Sequence, residues 1–297
     1  MKNNKHLIIG GASKAGTTAI YYYLKQHPDF FLPEKKELHY FSHLDIGENT
    51  GGVGDKYISK EIPNTFKEYL SNFKTSRNDQ ILVDISPSYL FYDKSAQRIK
   101  NEIDDPYVVF ILRNPVEKIF SQYLHLLSEG REKLSFSEAL DSEKTRKKNK
   151  YSDMWLYRES GFYSDKISHF QKTLGKDKVL ILYYDDFISS QTDFLNKITY
   201  FVGIARQFNF SSVREVNKSG APRSVILSYL LKPSIFTYFV RRVMPNGLGR
   251  IIRKYLRNAN SGDKPTIDPA LHKLLFSEYK EDITKLEKLV GKKANWS

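Results

Sequence analysis

The sharpest chemical signal in the sequence is a run of small residues at positions 10–18, GGASKAGTT, between an apolar segment and an amphipathic one. Small residues allow backbone N–H groups to converge on an anion, and a helix that begins there adds the positive end of its dipole. This combination is typical of a phosphate-binding loop. A tight strand-to-helix turn without a ligand is the alternative, and the lysine and two threonines in the run favour the phosphate site.

The position of the lysine in this loop separates two kinds of phosphate chemistry. Gly11, Gly16 and Thr18 match the nucleotide-triphosphatase pattern G-x-x-x-x-G-K-[ST]. Thr17, however, stands where that pattern has its lysine, and Lys14 lies inside the loop. An enzyme that uses a nucleoside triphosphate needs its lysine on the β- and γ-phosphates. The pattern therefore argues against a P-loop kinase or NTPase, which stays as the alternative function.

Two further segments carry groups suited to binding an anion and to accepting a proton. In FILRNPVEKIFSQY, Arg113 and Ser121 can converge from a strand end and the second turn of a helix. A guanidinium forms paired hydrogen bonds with a phosphate, although an ion pair would also explain this arginine. In EKKELHYF, Glu37 and His39 offer a carboxylate and an imidazole as proton acceptors. A structural hydrogen bond is the alternative role of the histidine.

The elements that must position these residues follow from the hydrophobic pattern. Continuous apolar runs predict strands buried on both faces, at 7–10, 81–86, 107–112 and 179–184. Helical periodicity predicts helices at 17–26, 96–103, 116–129, 162–174 and 194–202, and a C-terminal packing helix at about 268–291. Such alternation predicts one α/β domain over 1–297, a P-loop-type three-layer fold with a mainly parallel sheet flanked by helices. Segments 45–55 and 143–150 are predicted as surface loops.

Composition and charge restrict the partners. The 297 residues include no cysteine, which excludes a disulfide framework and a thiolate nucleophile. No apolar stretch is long enough for a signal peptide or a membrane span, which predicts a cytoplasmic protein. The net charge is +13, and the stretch 216–262 contains nine Lys and Arg residues but no Asp or Glu. We expect a basic helical insertion at about 225–260 to meet an anionic acceptor or the inner membrane surface.

The positive charge suggests an alternative function, and the histidines bear on whether the protein binds a metal. A basic module that binds polyanions or membranes without catalysis is the weaker alternative function, and no specific nucleic acid is expected as a partner. The seven histidines show no H-E-x-x-H pairing, so no metal site is predicted.

Taken in order, KAGTT, KELHYFS, SPSYL, ILRNPVEKIFSQY and LYYDDF resemble the motifs of sulfotransferases that use 3′-phosphoadenylyl sulfate (PAPS). The resemblance is to the bacterial and heparan-sulfate-type branch, and it runs from the first strand to the terminal helix. It implies transfer of a sulfuryl group from PAPS to a hydroxyl or amine of an acceptor, on a carbohydrate or a glycolipid. The other product would be adenosine 3′,5′-bisphosphate (PAP), and no metal would be required.

The resemblance also implies which residues bind the cofactor. They are Lys14, Ala15, Gly16, Thr17, Thr18, Arg113, Ser121, Tyr184, Lys218 and Arg223. Lys14 would touch the bridging oxygen that leaves with the nucleotide, and the rest of its loop would hold the 5′-phosphate. Arg113 and Ser121 would grip the 3′-phosphate, Tyr184 would approach the adenine, and the last two residues would lie in a late loop that closes over the 3′-phosphate. That loop lacks the Lys-Gly-Arg signature of the heparan-type enzymes.

Acceptor contacts are implied for a second set of residues. They are Glu37, His39, Ser86, Pro87, Tyr89 and Tyr163. Glu37 would be the catalytic base, with His39 as the second choice. Asp84 stands where family members carry Lys or Glu, and its role stays open. It also resembles the acid that holds magnesium in NTPases, an interpretation that the missing Walker lysine weakens.

Overall fold

The computed structural model describes residues 4–212 and 265–296. Its described part contains one sheet of five parallel strands: β1 (His6–Gly11), β2 (Phe30–Phe31), β3 (Ile81–Ile85), β4 (Tyr107–Leu112) and β5 (Val179–Tyr183). Their order is β2-β3-β1-β4-β5. The four predicted strands are confirmed within one residue at each end. The two residues of β2 are too few to give a periodic signal, and the sequence did not predict this strand.

Helices flank the sheet, which confirms the α/β prediction. They are α1 (Thr17–Leu24), α2 (His43–Glu48), α3 (Asp55–Lys60), α4 (Phe66–Ser71), α5 (Lys94–Glu102), α6 (Pro115–Ser128), α7 (Phe136–Asp141), α8 (Glu143–Lys148), α9 (Tyr157–Ser160), α10 (Ser164–Leu174), α11 (Tyr184–Ser189), α12 (Gln191–Phe201) and α13 (Pro269–Val290). The six predicted helices are confirmed with small shifts at their ends. Short 3-10 turns at Tyr40–Ser42, Pro87–Leu90 and Asp153–Trp155 complete the elements around the site.

The connections place a crevice between β1 and β4. From β1 the chain crosses the sheet toward β2, and from β3 it crosses in the opposite direction to β4. Parallel crossovers are right-handed, so α1 and α5 lie on opposite faces of the sheet. The chain leaves β1 and β4 in opposite directions, and a ligand crevice forms at the carboxyl ends of two such strands. The loops that contain Lys14 and Arg113 both begin there.

The prediction of a surface loop at 143–150 is wrong, because this segment forms helix α8. The helix has no apolar face that periodicity could detect. Instead, Arg146 is buried and its guanidinium nitrogen lies 2.8 Å from a carboxylate oxygen of the buried Glu132. The guanidinium also lies over the rings of Trp155 and Tyr157. A buried ion pair and aromatic rings here replace the apolar stripe of an ordinary packing helix.

The predicted loop at 45–55 is shorter than expected, since α2 and α3 occupy both of its ends. Its anchor is the fully buried carboxylate of Asp55. This carboxylate accepts hydrogen bonds from the backbone N–H of Gly52 at 2.9 Å and from the indole N–H of Trp155 at 3.1 Å. A buried carboxylate is tolerated when its oxygens accept hydrogen bonds. These bonds hold the glycine-rich segment against the rest of the domain.

The C-terminal helix α13 packs against the helices that follow β4 and precede β5. Its buried Asp282 accepts hydrogen bonds from the backbone N–H groups of Tyr163 at 2.8 Å and Ser164 at 3.1 Å, at the start of α10. Gly291, with φ of 71°, ends the helix as predicted. None of the helices in the two described ranges is long and apolar enough to cross a membrane. The basic segment 225–260, with Lys218 and Arg223 before it, lies outside the described residues.

Candidate active site

The loop after β1 is built as the sequence analysis predicts. It leads into α1 through Gly16, which has φ of 79° and precedes the first helical residue. Lys14 also lies in the left-handed region, with φ of 65°. The backbone N–H of Ala15 donates to the carbonyl of Ala12 at 3.3 Å, and the side chain of Thr17 is buried. The two left-handed residues turn the chain between the end of β1 and the start of α1.

Tyr184, the first residue of α11, covers this loop. A Cβ atom at Gly16 would lie 2.5 Å from Cε2 of the tyrosine ring, so only glycine fits beneath it. The guanidinium of Arg113 lies 5.3 Å from the centre of the same ring. The tyrosine ring therefore forms a wall that the phosphate loop and the arginine share.

Arg113 joins the ends of β4 and β1. Its Nη1 donates to the carbonyl of Lys14 at 3.2 Å, and its own carbonyl accepts a 3.0 Å hydrogen bond from the hydroxyl of Tyr163. Its Nε and Nη2 both donate to one carboxylate oxygen of Glu117, at 3.2 and 2.7 Å. Glu117 is a site residue that the sequence analysis did not single out, and its i,i+4 spacing from the arginine was the available signal.

Helix α6 begins two residues after Arg113, because Asn114 caps its N-terminus and Pro115 suits the first helical position. The side chain of Asn114 accepts hydrogen bonds from the backbone N–H groups of Val116 and Glu117, at 3.0 and 3.4 Å, and Pro115 occupies the first helical position. Ser121 lies in the second turn of this helix and is buried, and its convergence with Arg113 on one phosphate stays a prediction.

The second half of the site is the turn that carries Glu37 and His39. Both residues have left-handed backbones, with φ of 65° and 55°, which is rare for residues with a side chain. Glu37 Oε2 lies 3.4 Å from His39 Nε2, and Lys36 contacts the other carboxylate oxygen. Burial alone would raise the pKa of Glu37. The hydrogen bond from His39 and the charge of Lys36 outweigh it and hold that pKa well below its usual range.

The strained turn is tied to the strand β3 by a network around Asp84. The backbone N–H of His39 donates to Ser86 Oγ at 3.0 Å, and the hydroxyl of Ser86 donates to Asp84 Oδ1 at 2.6 Å. The other oxygen of Asp84 accepts from the hydroxyl of Tyr89 at 2.6 Å. Burial raises the pKa of Asp84, against the lowering effect of these two hydroxyls. Both carboxylate oxygens are thus engaged by the protein, an arrangement that fits an anchor better than a magnesium ligand.

Four of the residues predicted to contact the acceptor are buried in the structure. Tyr89 and Tyr163 are fully buried, and their hydroxyls are bonded to Asp84 and to the carbonyl of Arg113. Both rings therefore pack within the protein beside the site, and their contact with an acceptor stays a prediction. Ser86 and Pro87 are buried as well.

One residue near the imidazole was missed. The hydroxyl of Ser88 lies 2.7 Å from His39 Nδ1, and only its place within SPSYL could have drawn attention to it.

Comparison with known proteins decides the family. The model of the sulfotransferase family matches residues 6–208. The chain belongs to this family. A solved sulfotransferase from Alicyclobacillus acidocaldarius has the same fold, with a TM-score of 0.77 and 26% identity over 97% of this chain and 96% of that one.

Two curated sulfotransferases are more distant relatives. Human heparan sulfate glucosamine 3-O-sulfotransferase 3B1 is 24% identical over 199 residues, which cover 67% of this chain and 46% of that protein. The membrane-associated sulfotransferase kil1 of Dictyostelium discoideum is 29% identical over 118 residues, 40% of this chain and 22% of that protein. The chain therefore spans less than half the length of these relatives.

The part of the chain that matches the family model contains both halves of the candidate site. The loop with Lys14, the turn with Glu37 and His39, and the strand end with Arg113 all lie within it. Lys218 and Arg223 lie beyond the matched residues and outside the described ones, so their role at the cofactor stays a prediction.

Proposed function

We propose that this protein transfers the sulfuryl group of PAPS to a hydroxyl or amine of an acceptor. The observation that carries the proposal is the contact of Arg113, at the end of β4, with the loop that follows β1. Arg113 donates to the carbonyl of Lys14 at 3.2 Å and stacks on Tyr184, whose ring covers Gly16. The loop suits a 5′-phosphate, the guanidinium suits a 3′-phosphate, and the tyrosine ring offers a face to the adenine between them.

Within this proposal the chain has two tasks at the reacting atoms. When bound, PAPS supplies a sulfuryl group, whose bond to the 5′-phosphate oxygen breaks as the acceptor oxygen bonds to sulfur. Lys14 would place its ammonium against the oxygen that takes up the electron pair. A fixed cation there stabilises charge that exists mainly in the transition state, and one such donor is worth roughly 10²–10³ in rate.

The second task is removal of the acceptor's proton, which we assign to Glu37 with His39 beside it. Lys36 and the imidazole lower the pKa of Glu37, so its carboxylate is ionised at neutral pH but is a weaker base than an ordinary carboxylate. The separation of 3.4 Å between Glu37 Oε2 and His39 Nε2 lets the two groups share that proton. We therefore infer that they act as a pair, with Glu37 nearer the acceptor.

For the acceptor we propose a carbohydrate hydroxyl, free or on a glycolipid. Support comes from the relatives: one is named for heparan sulfate glucosamine, and another is carbohydrate sulfotransferase 15 of Rattus norvegicus, 21% identical over 244 residues. The excess of Lys and Arg at 216–262 suits an anionic acceptor or an acidic lipid surface that carries it. Contact with a cytoplasmic membrane face is part of this proposal, and one relative is named as membrane-associated.

The experiment that tests the proposal compares nucleotides as stabilising ligands. PAP should raise the melting temperature far more than AMP or ATP, since a ligand at about 100 times its Kd adds roughly 2.7 kcal/mol. Arg113→Ala should abolish the advantage of PAP over AMP. The matched control is Arg77→Ala, which removes an exposed arginine paired with Asp79 and should leave that advantage intact. Equal stabilisation by AMP would contradict the 3′-phosphate site, and preference for ATP with magnesium would favour the kinase alternative.

A further inference from the structure

The buried side chain of Gln122, on helix α6, joins the loop after β1 to the 3-10 turn that contains Asp153 and Met154. Its Nε2 donates to the carbonyls of these two residues, at 3.1 and 3.0 Å. Its Oε1 accepts a hydrogen bond of 3.2 Å from the hydroxyl of Ser13, which lies 109 positions earlier in the chain. Only 1% of Gln122 is exposed, so these contacts exclude water from the amide.

These partners leave one orientation for the amide of Gln122. Its two N–H groups are taken up by carbonyl oxygens, which can only accept. An amide turned around would set its own oxygen against both carbonyls, so the oxygen faces Ser13. The hydroxyl of Ser13 has one proton, and that proton is donated to the amide oxygen. Ser13 therefore anchors the loop instead of donating to a phosphate.

The anchor acts next to the lysine of the loop. Ser13 and Lys14 are the two central residues of a turn closed by a 3.3 Å backbone hydrogen bond between the residues on either side. The side chain of Ser13 is held by Gln122, and the carbonyl of Lys14 accepts from Arg113 at 3.2 Å. Both contacts come from the end of β4 and the helix α6 that follows it, which also carries Ser121.

The turn on the other side of Gln122 is itself held in place. The backbone N–H of Ser152 and the indole N–H of Trp155 donate to the buried carboxylate of Asp55, both at 3.1 Å. A buried polar network whose members are all satisfied is rigid. The position of Gln122 is therefore fixed by the interior of the domain, and the loop after β1 takes its place from that fixed point.

We propose that Gln122 is a positioning residue that sets the distance between the loop for the 5′-phosphate and the groups for the 3′-phosphate. The inference rests on the proposed function, in which Lys14 and its loop bind one phosphate while Arg113 and Ser121 bind the other. Ser121 and Gln122 are neighbours on α6, so the helix that presents the serine also holds the loop. A ligand with two phosphates gains from both sites only when their spacing matches its own.

The decisive variant is Gln122→Leu, which removes the anchor while keeping a side chain of similar size. Calorimetry with 5′-AMP, 3′-AMP and PAP separates the spacing of the two sites from the quality of each. We expect both monophosphates to bind within about twofold of their affinity for the unaltered chain, and the advantage of PAP over 5′-AMP to fall about 10-fold or more. Turnover at saturating PAPS should fall by up to about 100-fold, because Lys14 is displaced.

The matched control is Gln80→Leu. Gln80 is also buried, and its Nε2 donates to the carbonyls of Pro28 and Phe30, at 2.9 and 3.3 Å. These contacts lie where β2 and β3 begin, at the edge of the sheet opposite the crevice. The control variant should therefore lose comparable hydrogen bonds and stability but keep the advantage of PAP.

Two substitutions at Ser13 test the same contact from the loop. Ser13→Ala removes only the bond to Gln122, and it replaces Gln122→Leu if that variant does not fold. We expect it to lower the advantage of PAP in the same way. Ser13→Thr keeps the hydroxyl and should keep the advantage.

The inference is wrong if the advantage of PAP survives in Gln122→Leu and Ser13→Ala. It is also wrong if these variants lose affinity for all three nucleotides alike, because that result would make Gln122 a merely structural support of the loop. The proposed function fails on a different result, which needs no variant: PAP that binds the unaltered chain no better than 5′-AMP would overturn the 3′-phosphate site, and the inference with it.

Discussion

Among single residues, Glu117 has the least expected position, because its carboxylate binds Arg113, the residue that is proposed to bind the 3′-phosphate. It takes two hydrogen bonds from Arg113, one from Nε and one from Nη2. A phosphate must compete with this carboxylate or bind beside its negative charge. We predict that Glu117→Gln tightens PAP binding several-fold in calorimetry, since repulsion between neighbouring anions is removed. Glu281→Gln, which removes an exposed i,i+4 partner of Lys285, is the control and should change nothing. Weaker binding in Glu117→Gln would mean that the carboxylate orients the arginine for the phosphate.

Two substitutions, also at the scale of single residues, decide whether Glu37 or His39 is the catalytic base. Glu37→Gln keeps the size of the side chain but removes its proton acceptance, so turnover at saturating PAPS should fall by roughly 10²–10⁴ with PAP affinity intact. His39→Ala should lower turnover less, because the carboxylate remains. Turnover assays with a carbohydrate acceptor make the measurement, and the reverse order of the two effects would make His39 the base.

At the scale of elements, the start of helix α11 packs closely on the residue before helix α1, because the ring of Tyr184 lies against Gly16. Gly16→Ala would force a left-handed backbone on a residue with a side chain and bring its Cβ to 2.5 Å from the ring of Tyr184. We predict a loss of about 2 kcal/mol in the free energy of unfolding, and loss of PAP stabilisation in thermal unfolding. Gly47→Ala is the matched control, since its Cβ would meet nothing within 4 Å. Tyr184→Ala combined with Gly16→Ala should recover only part of the loss, because the backbone strain remains; full recovery would assign the whole effect to the clash.

At the scale of the whole molecule, the net charge of +13 bears on the proposed contact with an anionic acceptor or membrane surface. Replacement of Arg250, Arg253, Lys254 and Arg257 by Gln should weaken binding to vesicles that contain anionic lipid, by about 1 kcal/mol for each cation near the surface. Binding should also fall steeply with salt. The stabilisation by PAP should not change, and it serves as the internal control. Vesicle binding that is equally strong in this variant would leave these four cations as ordinary solvated charges.

The sequence by itself determined four of the five strands, the glycine-containing loop after β1 and the family resemblance. Strands buried on both faces appear as continuous apolar runs, and the loop after β1 appears as small residues at fixed spacing, because both are local properties of the chain. The helix α6 was likewise predicted from its own residues, at 116–129, and in the structure it begins one residue earlier, at Pro115. These features therefore agree with the structure within a few residues.

Only the tertiary structure decided which groups meet. Arg113 bonds to the carbonyl of Lys14 across 99 positions, and His39 meets Ser88 across 49. Asp84, whose role the sequence left open, is a buried anchor because folding brings its strand beneath the turn of His39. The helix α8 was missed since its buried face is an ion pair and not an apolar stripe. Burial turns these polar residues from solvated side chains into obligatory hydrogen-bond partners, and burial depends on parts of the chain that a local pattern does not include.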